Sequence, residues 1–184
     1  MASRFRPLPP VEQTPEQRAL YAAITGGPRA SGPQHFALTA DDGSLRGPFD
    51  AMLRSPAVGA AQQELGAAIR YRTGFTARMR ELAILLVAAH WDSAFERDSH
   101  EAIARAVGFS DAELDALRAR DVTPFADDEG TVGRTVLALL DGDLSDDAWD
   151  AASTALGEAG VFEITALVGY YATLALQLRV FRVE

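Results

Sequence analysis

An acidic residue at the start of a long apolar run most constrains how this chain folds. Glu81 is followed by eight consecutive apolar residues, 82–89, and Thr76 stands in front of the run as a typical N-cap. A run of this kind favours a buried helix. On that helix Glu81 shares a face with Ile84 and Leu85, at offsets of three and four residues. A carboxylate on a core-facing stripe has to be paired, hydrogen-bonded or protonated, so Glu81 is a candidate functional residue.

A second acid and a histidine follow on what is predicted to be the next helix, from Ser93 to Gly108. Glu96 and His100 are four residues apart and share a helical face, so the spacing predicts an acid/base pair in which Glu96 orients the imidazole. Two structural interpretations stay open beside this one. Ser93 and Glu96 also have the spacing of a capping box, and His100 also fits a hydrogen-bonded surface or interface histidine.

The other histidines and the nearby arginines receive secondary roles. His90 lies two and a half helical turns after Glu81 and is predicted to point away from it. His35 falls in the loop-rich N-terminal part and receives no role. Arg78 and Arg80 are candidates to bind a substrate carboxylate, and solvation is the alternative for either. For Arg78 an ion pair with Glu81 is a further alternative.

The same residues argue against metal, phosphate and acyl-transfer chemistry. Glu81, Glu96 and His100 include types that bind iron, zinc or manganese, but one histidine is few ligands. Their spacing also differs from the Glu-x-x-His pattern of di-iron bundles. Ser93 lacks a Gly-x-Ser-x-Gly elbow, and no glycine-rich phosphate loop is present. We therefore predict no metal and no cofactor.

Composition bounds the class of protein. A chain of 184 residues is long enough for one domain with a sizeable core. The net charge of −9 and the lack of a basic cluster argue against nucleic acid or an anionic membrane as a partner. The sequence has no cysteine, which excludes disulfides and thiol chemistry by the chain itself. The first ten residues lack the apolar region of a signal peptide and no run resembles a membrane span, so a cytoplasmic protein is expected.

The patterning predicts an all-α, single-domain helical bundle. Residues 1–45 are expected to form an N-terminal arm and loop segment, with a hairpin at 35–45, and residues 46–184 the helical domain. Predicted helices start at capping sequences and end near residues 25, 73, 108 and 120, and one between them includes the apolar run to residue 89. Two or three more are expected at about 128–140, 145–158 and 162–180. The capping residues are Thr14, Ser55, Thr76, Ser93 and Ser110.

Three groups of residues, Arg80-Glu81, His100 and Gly108-Phe109-Ser110, form a pattern that resembles the carboxymuconolactone decarboxylase and alkylhydroperoxidase D-like family. In the peroxidase branch of that family a Glu precedes a Cys-x-x-Cys pair and a His closes the motif. The Glu-to-His separation matches that from Glu81 to His100, and the two Cys positions fall on Ser93 and Glu96. The resemblance extends from about Gly47 to the C-terminus.

This resemblance implies an alkylhydroperoxidase D-like bundle that self-associates, as a trimer or a multiple of it first and as a dimer next. Because the Cys pair is replaced, thiol peroxidase activity is excluded. The similarity to Cys-free members implies a cofactor-independent decarboxylase-like lyase that acts on a small organic acid or lactone by decarboxylation or a related proton transfer. The alternatives are a non-catalytic ligand-binding or oligomeric scaffold and a metal-dependent oxidoreductase. The implied catalytic residues are His100, Glu96 and Glu81, and the substrate-binding residues are Arg80, Arg78 and Ser93.

Overall fold

The computed structural model describes residues 4–27 and 37–183. Within these residues the chain forms eight α-helices and a short 3-10 helix, and the all-α class predicted from the sequence is confirmed. The helices are α1 (Pro15–Thr25), α2 (Pro48–Met52), α3 (Pro56–Tyr71), α4 (Ala77–Trp91), α5 (Ala94–Ala106), α6 (Asp111–Arg118), α7 (Asp127–Asp141) and α8 (Asp146–Phe181), and the 3-10 helix is Pro10–Glu12.

Capping chemistry begins three of these helices where the sequence predicts it. The Thr14 hydroxyl accepts from the backbone N–H of Gln17, and the Gln17 side chain accepts from the Thr14 N–H, a complete capping box. Ser110 and Glu113 make the same reciprocal pair at the start of α6. At α4 the Thr76 side chain accepts from the backbone N–H of residue 79. Side chains that satisfy the free N–H groups of the first turn thus fix these boundaries.

The chain divides into two compact units, and the first runs to Tyr71 and includes the C-terminal residues from Leu176. In this unit α1 and α2 pack against α3. The predicted boundary at residue 45 differs from this division, and residues ahead of it are buried. The buried apolar residues of this unit include Leu20, Ile24, Leu45, Phe49, Met52, Leu53 and Ile69.

The remainder of the predicted hairpin also lies in this unit. Thr39 and Leu45 form a single antiparallel bridge, and Gly43 between them adopts a φ of 81°, a conformation that favours glycine. His35, at the start of the predicted hairpin, lies outside the described residues. The turn of the predicted hairpin is therefore present among the described residues, but the strands on either side of it pair through one bridge.

The second unit comprises Arg72–Ala175 and is built around α4. Helix α4 packs against α5, α6 and α7, and residues 81–88 are all buried. A helix buried on every side needs apolar residues all round, which explains the uninterrupted apolar run. Helices α5, α6 and α7 and the part of α8 in this unit contribute further buried residues to the core: Ile103, Leu114, Leu117, Val132, Val136, Ile164, Leu167, Tyr170 and Tyr171.

Helix α8 corresponds to the two C-terminal helices predicted from the sequence, which are joined across a kink. Gly157, with φ 70° and ψ 165°, is its one non-helical residue, so the expected gap at 158–162 shrinks to a single break. By length and composition alone, α8 is long and apolar enough to cross a membrane, although the sequence was expected to contain no such segment. Half of its most apolar window is buried, as in a core helix of a globular protein.

Candidate functional site

A buried acid–imidazole pair joins α4 to α5. The Nδ1 atom of His100 lies 2.6 Å from Oε2 of Glu81. Glu81 is 1% exposed and His100 is 8% exposed. A hydrogen bond this short between two buried groups fixes the orientation of the imidazole ring. The structure thus brings together two of the three predicted catalytic residues.

The contact with Glu81 determines which nitrogen of His100 can exchange a proton with a substrate. An ionised Glu81 carboxylate accepts a hydrogen bond only from a His100 ring that carries a proton on Nδ1, and Nε2 is then the second nitrogen. Among the described residues Nε2 makes no hydrogen bond. The ring also makes an edge-on contact with Tyr171 of α8, with ring centroids 5.3 Å apart. Tyr171 thus packs on the imidazole, and no local spacing in the sequence predicted it.

Glu96 does not orient His100, which corrects the pairing predicted from the four-residue spacing. Glu96 is 2% exposed, and neither carboxyl oxygen has a hydrogen-bond partner among the described residues. The shared helical face brings Glu96 and His100 into the same buried layer, but the hydrogen bond of Nδ1 goes across to Glu81 on α4. Packing of α5 on α4 therefore decided the partner.

The capping box at the start of α5 is also not formed. Ser93 is the N-cap, but its side chain makes no capping hydrogen bond. The backbone N–H of Ser93 donates to the carbonyl of Ala88, 2.9 Å away, because Asp92 turns the end of α4 in a left-handed conformation with φ 49°. The N–H that Glu96 needs is thus used to close the preceding helix.

Burial raises the pKa of Glu96 from 4.5 to about 8, and the nearby Ser93 hydroxyl lowers it by a smaller amount. That hydroxyl lies near the carboxyl group but makes no hydrogen bond of good geometry with it. Transfer of a carboxylate out of water disfavours its charged form. Glu96 is therefore mostly a neutral carboxylic acid at pH 7.

The predicted substrate-binding residues have different environments. Arg78 donates to both Glu129 (2.8 Å) and Glu113 (2.6 Å), and its guanidinium stacks 4.1 Å above the ring of Phe109. These acids raise the pKa of Arg78, with the hydrogen bond to Glu129 the largest cause. Its guanidinium is thus committed to contacts within the fold, and the alternative ion pair with Glu81 is not formed. Arg80 is half-buried on α4.

A third buried glutamate, Glu101, was missed in the sequence. Its carboxylate accepts hydrogen bonds from Arg118 at 2.6 and 2.5 Å and from Arg105 at 3.4 Å. Arg118 is the main cause of a lowered pKa for this group. The four-residue spacing to Arg105 was a usable signal, whereas the stronger bond to Arg118 joins different helices. Since Glu101 is ionised and fully paired, its role is to hold α5 to the end of α6.

The remaining histidine in the described residues and the cavities lie apart from the pair. His90 is exposed on the last turn of α4, with its ring against Trp91. A cavity of about 80 Å³ borders Glu101 and Arg118, and an open apolar groove of about 930 Å³ runs between α1 and α3. Neither cavity is lined by Glu81, Glu96 or His100.

The donor set does not resemble a metal centre. Across residues 4–27 and 37–183, no group of three or more His, Asp or Glu side chains is arranged to hold a metal ion. Glu81 and His100 bond to each other, and Glu96 stands apart from their hydrogen bond. The arrangement is suited to moving and holding protons.

The fold and the pair define a class: an all-helical domain in which successive helices supply a buried acid and an imidazole. A family model described as "Carboxymuconolactone decarboxylase family" matches residues 56–138. The recognition made from Glu81, His100 and the segment around Gly108 is confirmed. No curated protein matches the chain in sequence.

Two solved structures are similar in fold. The debrominase Bmp8, as a cysteine-to-alanine variant in complex with 2,3,4-tribromopyrrole, aligns with a TM-score of 0.73 and 13% identity, covering 100% of this chain and 93% of its own. The apo form of the same debrominase aligns with a TM-score of 0.71 and 14% identity, covering 97% and 89%. At this identity the similarity shows the shared fold alone.

Proposed function

We propose that the chain is a cofactor-independent acid/base enzyme that uses the Glu81–His100 pair on a small organic acid or lactone. The observation that carries the proposal is the 2.6 Å hydrogen bond between two buried groups on successive helices. The His100 side chain keeps 10% of its surface exposed and that of Glu81 keeps 2%, so the imidazole is the more accessible member. The match of residues 56–138 to the carboxymuconolactone decarboxylase family model supports the same assignment.

The chemistry follows from the roles that the pair can take. Loss of CO2 from a carboxylic acid breaks a carbon–carbon bond and leaves its electron pair on the substrate as an enolate. A proton on Nε2 of His100 is transferred to that carbon, and water returns a proton to the ring. Glu81 holds Nδ1 and stabilises the imidazolium form that donates this proton, and the ring is a neutral imidazole until water returns the proton to Nε2. The same atoms serve a proton transfer without decarboxylation.

A proton-exchange assay tests the proposal. The chain is incubated in D2O with a panel of keto acids and γ-lactones, and deuterium incorporation and CO2 release are followed. 2,3,4-Tribromopyrrole joins the panel because it is the ligand named for a similar fold. His100→Asn keeps an N–H donor near the position of Nδ1 and removes Nε2, so we expect turnover to fall by about 100-fold or more.

His90→Asn is the matched control, because His90 is exposed and lies outside the pair. It should leave the rate essentially unchanged. Replacement of His100 by alanine is less informative, since it would remove the hydrogen bond to Glu81 and confuse loss of folding with loss of chemistry. Equal turnover by His100→Asn and the unmodified chain would contradict the proposal.

A second candidate function, a non-catalytic ligand-binding or oligomeric scaffold, is favoured by one observation. Neither cavity described above reaches the Glu81–His100 pair. On this alternative the pair is a buried structural contact between α4 and α5. The scaffold function predicts no turnover with any member of the panel and a lower melting temperature for His100→Asn.

A further inference from the structure

The carboxyl group of Glu96 is a buried polar group without a function in the pair. Both of its oxygens are inaccessible and lack a hydrogen-bond partner among the described residues. It lies in the first turn of α5, one turn before His100 on the same face. Buried polar groups without partners are rare in folded proteins, because each costs the desolvation that no hydrogen bond repays.

No structural role in the surrounding helices accounts for this carboxyl group. The capping role fails because the N–H of Ser93 donates to Ala88. The orienting role fails because Nδ1 of His100 is bonded to Glu81. The missing cap bond from Ser93 also leaves the first turn of α5 less tightly held than a capped turn, which favours local opening at this point.

The local electrostatics keep Glu96 neutral. Burial is the main influence on its pKa and the Ser93 hydroxyl is the other. On the facing helix α4 the buried ionisable group is Glu81, and on the same face of α5 it is His100, and these two satisfy each other. A neutral carboxyl group offers one O–H donor and one carbonyl acceptor.

We propose that Glu96, as a neutral carboxylic acid, binds the carboxylate or the lactone carbonyl of the substrate. This rests on the proposed function and adds the group that recognises the substrate. The O–H of Glu96 donates to a substrate oxygen, and with an anionic acceptor the hydrogen bond is short and charge-assisted. The substrate oxygen is then held one helical turn from the imidazole that exchanges protons with it.

Equilibrium binding of two probes to the full chain tests the inference. 2-Furoate presents a carboxylate and γ-butyrolactone a neutral carbonyl, and neither probe titrates between pH 6 and pH 9. We expect 2-furoate to bind about tenfold or more tightly at pH 6 than at pH 9, as expected for loss of a hydrogen bond to a charged group. Tighter binding of γ-butyrolactone would assign the lactone carbonyl as the bound group and still support the proposal.

Two variants separate hydrogen bonding from ionisation. Glu96→Gln keeps an N–H donor that never ionises, so its binding should lose the dependence on pH. Glu96→Leu has a similar size and no donor, so its binding should weaken by about tenfold or more at both pH values. Infrared spectra should show the carbonyl band of a protonated carboxyl group at pH 6, which 2-furoate shifts and Glu96→Gln removes.

The outcomes distinguish this inference from the proposed function. Unchanged affinity in a folded Glu96→Leu, no probe bound at pH 6, or no carboxyl band at pH 6 would overturn the role of Glu96. Turnover that depends on His100 together with unchanged KM in Glu96→Leu would overturn the role of Glu96 alone. Binding that depends on Glu96 without turnover on any substrate supports the inference and counts against the proposed enzyme.

Discussion

At the scale of single residues, the ionisation of Glu96 is coupled to folding. In the folded chain its pKa is raised from 4.5 to about 8, chiefly by burial. Between these two pH values the unfolded state loses the proton and the folded state keeps it. The free energy of unfolding therefore falls as pH rises through this window, and the contribution is fully present only below about pH 4.5.

We expect Glu96→Gln to remove most of this dependence. For the unmodified chain the loss from this one group between pH 4.5 and pH 8 amounts to at most about 5 kcal/mol. Denaturant unfolding at intervals across this range gives the free energy of unfolding of both chains. The contributions of all other groups cancel when the values for the two chains are subtracted at each pH. Parallel curves for the two chains would show that Glu96 ionises normally in the fold.

The residues of the pair could be predicted, but their pairing could not. Glu81 was found because it interrupts an apolar face, and His100 because it follows Glu96 by one helical turn. Helical spacing identifies which side chains share a face of one helix. Spacing carries no information on how two helices pack against each other. The packing of α5 on α4 places Nδ1 of His100 against Glu81 and leaves Glu96 without a hydrogen-bond partner among the described residues.

At the scale of helices, Arg78 holds the start of α4 to two other elements. Its donors reach Glu129 of α7, Glu113 of α6 and the carbonyl of Gly108, and 28% of its side chain is exposed. A planar guanidinium with several fixed acceptors is suited to this role, and neither lysine nor an apolar side chain reproduces it. The substrate-binding role predicted for Arg78 competes with all of these bonds.

We expect Arg78→Met to lower stability by about 2 to 3 kcal/mol, because several charge-assisted hydrogen bonds are lost together. KM for any substrate of the folded variant should stay unchanged. Arg134→Met is the control, since Arg134 is exposed and donates only to Thr131 among the described residues. Chemical denaturation gives the stability and steady-state kinetics give KM. A large rise in KM without loss of stability would instead show that Arg78 binds the substrate, as the sequence predicted.

Gly59 allows α3 to pass close to α2. A Cβ atom built at this position would lie 2.4 Å from the carbonyl oxygen of Met52 and 2.9 Å from Leu20. Gly59→Ala should therefore destabilise the chain by about 1 to 3 kcal/mol despite the higher helix propensity of alanine. Ala60→Gly is the control at the exposed neighbouring position, where only the propensity cost of about 1 kcal/mol applies. A gain in stability for Gly59→Ala would contradict this close approach.

Helix starts were predictable where side chains alone decide them. Thr14, Thr76 and Ser110 cap their helices through local hydrogen bonds that the sequence contains in full. Ser93 is also the N-cap of α5, as predicted, but the capping box expected there is not formed, because the backbone N–H of Ser93 donates to the end of α4. A break between the two C-terminal helices was predicted after residue 158, and the structure has it at Gly157, where one non-helical residue replaces the expected gap.

At the scale of the whole molecule, self-association is the expectation that the sequence and the family resemblance share. Phe162 of α8 is 76% exposed, beside the apolar segment 164–178. A phenylalanine left in water forgoes about 1.5 to 3 kcal/mol of burial, and contact with a second copy recovers it. The proposed assembly is a homo-oligomer, a trimer or a multiple of it first and a dimer next.

Light scattering at micromolar concentration should give the mass of this oligomer for the unmodified chain. Phe162→Asp should shift the population towards monomer, because a carboxylate would be buried at the contact in a chain that already carries a net charge of −9. Val11→Asp is the matched control: Val11 is 90% exposed on a short 3-10 helix, and the same change there should leave the mass unaltered. A monomer mass for the unmodified chain would refute the assembly. An oligomer whose mass is unchanged by Phe162→Asp would show that the subunits contact each other through another exposed surface.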